Sequence, residues 1–310
     1  MKKQKIRFYA ALLCSSMVFS LVSTPVSAAE TGQLTNPPTS TEELSSPESI
    51  SGNEAASALN GLSVLAANGE AEVTTASELT GALADSSISR ITLKGDIDIG
   101  STLTVNRTVT LDLNGCVLKM TGSDSVIKVE ADGDLTIQDR NTTTQHKFNP
   151  HCKYLTWYID MWELDNGGSE IVSGGVITGG GGDQSNGGGV LVAGGTLVMA
   201  GGSIVGCSAM SRGGGVCNNG TFIMSDGMIK GCTSPDGQYA SGGGVRNSNQ
   251  FTMTGGMIGD PDNENDASHV YNTSSQETTL TISGNAKIYT DITNVGILNA
   301  DGGKIAGTMT

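Results

Sequence analysis

From Arg90 onward the chain is written in short runs that alternate apolar and polar residues: Ile91-Thr92-Leu93, Leu103-Thr104-Val105, Val109-Thr110-Leu111-Asp112-Leu113, Val126-Ile127-Lys128-Val129 and Leu135-Thr136-Ile137. A period of two, broken by Gly, Asn and Asp, predicts short strands and turns. From Gly167 the runs begin to repeat one another. Gly187-Gly188-Gly189-Val190 returns as Gly213-Gly214-Gly215-Val216 and Gly242-Gly243-Gly244-Val245, with a weaker counterpart at His269-Val270. Thr196-Leu197-Val198-Met199 returns as Thr221-Phe222-Ile223-Met224, Phe251-Thr252-Met253 and Leu280-Thr281-Ile282. A third segment, Gly201-Gly202-Ser203-Ile204, has counterparts ending at Ile229, Ile258 and Ile288. Three short strands in every repeat of about 25 to 30 residues are the pattern of a β-solenoid. The expected fold class is therefore all-β: a single-stranded right-handed parallel β-helix with three strands per coil, the hand being the default for parallel crossovers.

Laying the repeats over one another gives columns. Val190, Val216, Val245 and Val270 form one, Leu197, Phe222, Phe251 and Leu280 a second, Met199, Met224, Met253 and Ile282 a third, and Ile204, Ile229, Ile258 and Ile288 a fourth. All are apolar, as ladders facing a common core must be when coils stack about 4.8 Å apart. The same alternation turns Leu191, Cys217, Arg246 and Tyr271 outward. Asn218, Asn247 and Asn272 fall two residues after the inward valine, which predicts an amide ladder bonding each coil to the next. The stretch from Gly167 on holds 34 of the 44 glycines, as tight corners and close backbone approach require.

The N-terminal region reads differently. Lys2, Lys3, Lys5 and Arg7, an apolar run from Ala10 to Val22, and the small residues Val26-Ser27-Ala28 predict a signal peptide over 1–28 cleaved after Ala28. The apolar run is too short for stable membrane insertion. Residues 29–72 are rich in Ser, Thr and Pro and lack aromatics, so they are expected to be a disordered leader. Thr75-Ala76-Ser77-Glu78 has the spacing of a capping box, with Leu79, Ala82 and Leu83 on one face. A short N-terminal helix capping the open end of the stack is expected there. The β-helix is then expected over 73–310. The chain stops soon after Lys304-Ile305 with no wall-sorting motif, so either the last strands cap the stack or this is a shortened form.

Composition narrows the function. The formal charge of the chain is −14, and removal of the four signal basics makes the acid excess larger still. Such a surface is a poor partner for nucleic acid and repels polyanions unless cations intervene. Five cysteines remain after the signal, spread along the chain without a Cys-x-x-Cys pair, and predict neither a disulfide framework nor a zinc site. Cys207 and Cys232 occupy equivalent turns and are expected to be paired thiols rather than a bond.

Four places carry candidate chemistry. An insertion at 141–166 interrupts the coils and holds Phe148, Tyr154, Trp157, Tyr158 and Trp162, including both tryptophans of the chain. These rings are either a ligand-binding platform for sugars or a partner, or a local core folded back on the coils. Asp260, Asp262, Glu264 and Asp266 alternate oxygen donors in a way calcium uses, although Gly is missing from the sixth position of an EF-hand loop, and a solvated acidic turn explains the same residues. His146, His151 and Cys152 lie close in the insertion with a spacing that fits no metal site. For a polysaccharide-cleaving enzyme, Asp183, Asp226 and Asp236 stand at different coil positions, and Arg246 has Cys217 and Tyr271 as column neighbours. No catalytic set assembles from them.

The Gly-Gly-Gly-Val, Thr-Phe-Ile-Met and Gly-Gly-x-Ile segments resemble those of secreted, adhesin-like β-helix proteins of Gram-positive bacteria, whose fold is shared with the pectate-lyase superfamily. The segment Glu170-Ile171-Val172-Ser173-Gly174-Gly175-Val176-Ile177-Thr178-Gly179-Gly180 is similar to the point where such proteins enter their repeats, and the resemblance covers about 75–305. It implies a secreted or cell-surface scaffold for adhesion to host or cell-wall glycans or surface proteins, non-enzymatic and without a cofactor. A polysaccharide lyase or glycoside hydrolase is the alternative, since one fold serves both.

Overall fold

The computed structural model describes residues 65–66, 69–153, 160–181, 186–234, 242–263, 266–273 and 277–310. The expected signal segment and nearly all of the expected leader lie outside them. Among the described residues the chain is almost wholly β-strand, with one helix, Ala76–Ala84.

Strands from successive repeats pair in parallel, residue on equivalent residue, in three ladders. The valine ladder runs through Leu103–Val105, Ile127–Val129, Val190–Val192, Val216–Asn218, Val245–Asn247, Val270–Asn272 and Ile292–Asn294. A second, centred on Phe222 and Phe251, starts at Glu70–Val73 and passes through Arg90–Leu93, Thr108–Asp112, Asp134–Gln138 and the first halves of Thr196–Val205 and Thr221–Lys230. It continues through Gln250–Met253 and Thr279–Ile288 to Ile297–Ile305. The isoleucine ladder aligns Ile97–Ile99, Val117–Met120 and Val176–Thr178 with Ile204, Ile229, Ile258, Ile288 and Ile305. Leu65–Ala66 and most of Glu70–Val73, with which it pairs antiparallel, lie within the stretch expected to be leader. Ala71 and Val73 are buried, so the paired region begins earlier than the composition indicated.

All four apolar columns point into one continuous core. Phe222 and Phe251 stack face to face, with ring centroids 4.5 Å apart and planes 7° from parallel. The asparagine column is a bonded chain. The Asn218 amide donates to Asn247 Oδ1 at 2.8 Å, Asn247 to Asn272 at 2.7 Å, and Asn272 to Asn294 at 2.7 Å. Each amide also donates to the strand that follows the corner, for example Asn247 Nδ2 to the Thr279 carbonyl at 2.8 Å. Buried amides are thus satisfied by their own kind, and the column fixes register in a region where glycines carry no side chains to do so.

The helix Ala76–Ala84 forms as its sequence predicts. Thr75 Oγ1 accepts from the Glu78 N–H, and Glu78 Oε2 accepts from the Thr75 N–H at 3.1 Å, closing the capping box. Leu79, Ala82 and Leu83 are buried against the first strands. Arg107 finishes the other end, donating to the carbonyls of Leu83, Ala82 and Ile88. These are orphan acceptors of a helix terminus, and a cation there also suits the helix dipole. At the far end of the chain, the N–H groups of Ile292 and Asn294 donate to the carbonyls of Thr308 and Thr310.

The insertion leaves the ladders intact. Ile127–Val129 pairs directly with Val190–Val192, and Asp134–Gln138 with Thr196–Met199, so the intervening chain is extruded sideways. It forms a three-stranded antiparallel sheet with Gln145–Lys153 at the centre, flanked by Asp160–Leu164 and Glu170–Ser173. Glu170–Ser173, expected to open the repeats, therefore belongs to the insertion, and the coil resumes at Val176–Thr178. Asp139 ties the base together: its carboxylate accepts from the N–H groups of Gly115 at 2.7 Å and Gly175 at 2.8 Å, on either side of the extrusion.

Candidate functional site

Two of the five aromatic candidates, Phe148 and Trp162, are 0% and 2% exposed. They form a second, smaller core with Val172, Val176 and Val205, edged by Leu164 and Met228. The rings are tilted at 44° with centroids 6.5 Å apart. Trp162 lies flat against Gly231, where a Cβ would sit 2.1 Å from the indole. Its N–H donates to the Gly231 carbonyl at 3.3 Å, and its own carbonyl closes on Gly206, where a Cβ would come within 2.0 Å. Both glycines also hold a positive φ, so each is required twice over. Of the two readings of the insertion's rings, the burial of Phe148 and Trp162 fits the local core. An aromatic buried over glycine anchors the insertion to the coils and offers no face to a sugar. Tyr154, Trp157 and Tyr158 lie outside the described residues.

Beside the indole sits a buried ion pair. Lys230 Nζ is 3.3 Å from Asp260 Oδ2, with the two side chains 8% and 6% exposed, and 4.3 Å from the centre of the Trp162 ring. Asp260 also accepts from the Asp262 N–H through Oδ1. Asp266, buried as well, accepts from the Gly231 N–H with both oxygens at 3.2 Å and from the Ser268 N–H at 2.9 Å. Burial pushes the Asp266 carboxyl up, the hydrogen bonds from Ser268 and Gly231 oppose this, and the nearby Asp260 charge adds to the rise. The proposed calcium run is therefore divided. Asp260 and Asp266 turn to protein donors, Asp262 is exposed, and Glu264 lies outside the described residues. Among the described residues no group of three His, Cys, Asp or Glu side chains is placed to hold a metal ion. In the insertion, His146 Nε2 is taken up by the Gly115 carbonyl at 3.0 Å.

Cys207 and Cys232 are free buried thiols, as their parallel columns predict. Burial, with the adjoining Cys207 thiol second, drives Cys232 well above the ordinary thiol value. Asp112, fully buried, shows the opposite balance. Burial raises it, but hydrogen bonds from Gln138 and Arg140 and the Arg140 charge outweigh that and hold its carboxyl below the usual range.

The outward face of the valine ladder is chemically distinct. Lys128, Leu191, Cys217, Arg246, Tyr271 and Thr293 follow one another in register. Lys128 is neutralised by Glu130 at 2.6 Å. Arg246 is half-buried and donates to Ser248 Oγ at 2.8 Å; Cys217 is buried beside it, and burial pushes that thiol up. Arg212, exposed, stands close enough to matter electrostatically. Burial lowers the Arg246 guanidinium first, and the like charge of Arg212 lowers it further. Among the described residues neither arginine forms an ion pair with a carboxylate. A guanidinium with no carboxylate partner among the described residues, in register with the Tyr271 position on the next strand, can receive a planar anion in bidentate fashion. The sequence reading placed Arg246 outward and missed Arg212. The signal was its position immediately before Gly213-Gly214-Gly215-Val216, equivalent to Asn186 one repeat earlier, with which it forms a parallel bridge.

A chain of parallel, in-register ladders with an extruded antiparallel insertion defines a repeat-built β scaffold. Residues 70–173 match the family model described as "Putative pectate lyase-like adhesive domain". The match opens at Glu70–Val73, where the parallel ladders begin, and closes at the last strand of the insertion, so the glycine-rich repeats lie beyond it. Comparisons with curated proteins and with solved structures each find no match to this chain. Among the described residues no helix is long and apolar enough to cross a membrane.

Proposed function

We propose that this protein is a secreted or cell-surface right-handed parallel β-helix that adheres to acidic glycans through Arg212, Arg246 and Tyr271 without cleaving them. The observation that carries the reading is that, among the described residues, no carboxylate pairs with Arg246 or with Arg212, on a chain of net charge −14. Like charges held together without a counter-ion cost stability, and an anionic ligand relieves that cost. The adhesive-domain match over 70–173 agrees with a surface role, and the basic start, apolar run and Val26-Ser27-Ala28 support export. The hand of the winding rests on the crossover preference.

The test is a glycan array probed with the exported protein and with its Arg212→Ala/Arg246→Ala variant. Carboxylated or sulfated glycans are expected to bind the parent and not the variant. Equal binding by both would overturn the assignment. The enzymatic alternative, a polysaccharide lyase or glycoside hydrolase, has one observation in its favour: a lowered arginine is what proton abstraction beside a uronate requires. Among the described residues no carboxylate forms an ion pair with Arg246, which supports binding over bond cleavage. Unsaturated or reducing ends released by the parent protein and absent with Arg246→Ala would decide for the enzyme.

A further inference from the structure

The buried contact between Lys230 and Asp260 calls for a chemical explanation, because nothing in the adhesive reading uses it. The two side chains come from successive repeats, 30 residues apart, and meet with Nζ 3.3 Å from Oδ2. Their backbones are fixed independently of the contact. Ile229 pairs in register with Ile258, the Gly259 N–H donates to the Ile229 carbonyl at 2.9 Å, and the Lys230 carbonyl accepts from the Gly206 N–H. The Trp162 ring covers the amine from one side, and Asp266, buried and bonded to the Gly231 N–H, stands at the next residue along. Water is thus kept away from an amine and a carboxyl held at reacting distance.

Ion pairs in such surroundings are poor stabilisers. Taking both charges out of water costs several kcal/mol per ion, and the pair recovers it only with ideal geometry and every remaining proton and lone pair satisfied. Lys230 has Asp260 as its one hydrogen-bonding partner among the described residues, the indole face being the other contact. Joining the two groups as an amide removes both charges from this buried site. Orientation of this kind is what converts a sluggish condensation into an intramolecular one.

We propose that Lys230 and Asp260 condense into an intramolecular isopeptide bond that staples two successive repeats beneath the docked insertion. The Lys230 nitrogen attacks Cγ of the protonated Asp260, the C–N bond forms, and the Cγ–OH bond breaks. The hydroxyl leaves with one proton from the amine, so one water is lost and no oxidant or reductant takes part. The product amide is neutral, which ends the cost of two buried charges, and it links two repeats in a chain where Cys116, Cys207, Cys217 and Cys232 are free thiols.

Intact-mass spectrometry of the exported protein, with the N-terminus determined in the same sample, tests this directly. The mass is expected to fall below the sequence value by one water. Digestion is expected to yield a branched peptide joining the Lys230 and Asp260 segments, with no cleavage after Lys230. Lys230→Arg keeps the ion pair and the fold, shown by an unchanged circular dichroism spectrum and cooperative melting, and is expected to restore the full sequence mass. A folded parent protein of full sequence mass, with linear Lys230 and Asp260 peptides, would overturn the bond. So would a water loss that persists in Lys230→Arg, since it would then arise elsewhere.

Discussion

Replacing Trp162 with Ala separates an anchor from a binding platform. A buried indole covers roughly 200 Å² of apolar surface, which at about 25 cal/mol per Å² is worth about 5 kcal/mol, and measured Trp-to-Ala losses of about 3 to 5 kcal/mol agree. The loss does not fall evenly on the molecule. Phe148, Trp162 and Val172 form a core separate from the main one, and the ladders pair across the insertion without it. Trp162→Ala is therefore expected to undock the insertion before it unfolds the coils. Limited proteolysis and hydrogen exchange should show protection over Gln145–Lys153 and Glu170–Ser173 falling by two or more orders of magnitude, which corresponds to about 3 kcal/mol or more. The main melting transition should move far less, and glycan binding should persist. Unchanged protection together with lost binding would refute the anchoring argument and return the ring to the ligand.

Two further outcomes follow from buried polar groups. Asn247→Ala removes the middle of the amide column and strands Asn272 Oδ1 and the Thr279 carbonyl, so urea denaturation should show a loss of about 2 to 5 kcal/mol, against near-neutrality for a substitution at exposed Asp262. Asp112 contributes through pH. Its folded carboxyl lies below the ordinary value of 3.8, so its contribution is fully present above that value and is lost as pH falls through the depressed folded one. Asp112→Asn, less stable at neutral pH, should therefore show a flatter stability curve below pH 3.8 than the parent, and parallel curves would contradict the assignment.

The repeat was legible because every device that builds it is local in pattern. An inward valine, a Phe or Met in the next ladder and an Asn at the corner recur at matching positions, and each needs only its own kind above and below. The capping box was legible for the same reason: Thr75 and Glu78 find each other within one turn. The fate of Phe148 and Trp162 was not, since an aromatic in an insertion looks alike whether it faces water or a neighbour. What decided it lay far along the chain, in Gly206 and Gly231, whose missing side chains leave the space that the indole fills. Asp260 and Asp266 were misleading for a related reason. Alternation along the chain was read as convergence on an ion, whereas one carboxylate reaches Lys230 a repeat away and the other the Gly231 N–H. Arg212 went unnoticed because its partner in charge, Arg246, stands in the neighbouring repeat and not beside it in sequence.

The most direct measurement is the binding of the exported protein to an immobilised carboxylated or sulfated glycan across a range of salt, beside Arg212→Ala/Arg246→Ala, with the glycan recovered and sized afterwards. Contact with the paired arginines should give binding that weakens as salt rises, at least about tenfold weaker in the double variant, with the glycan recovered uncut. Equal affinity in both proteins, or a shortened glycan, would contradict it.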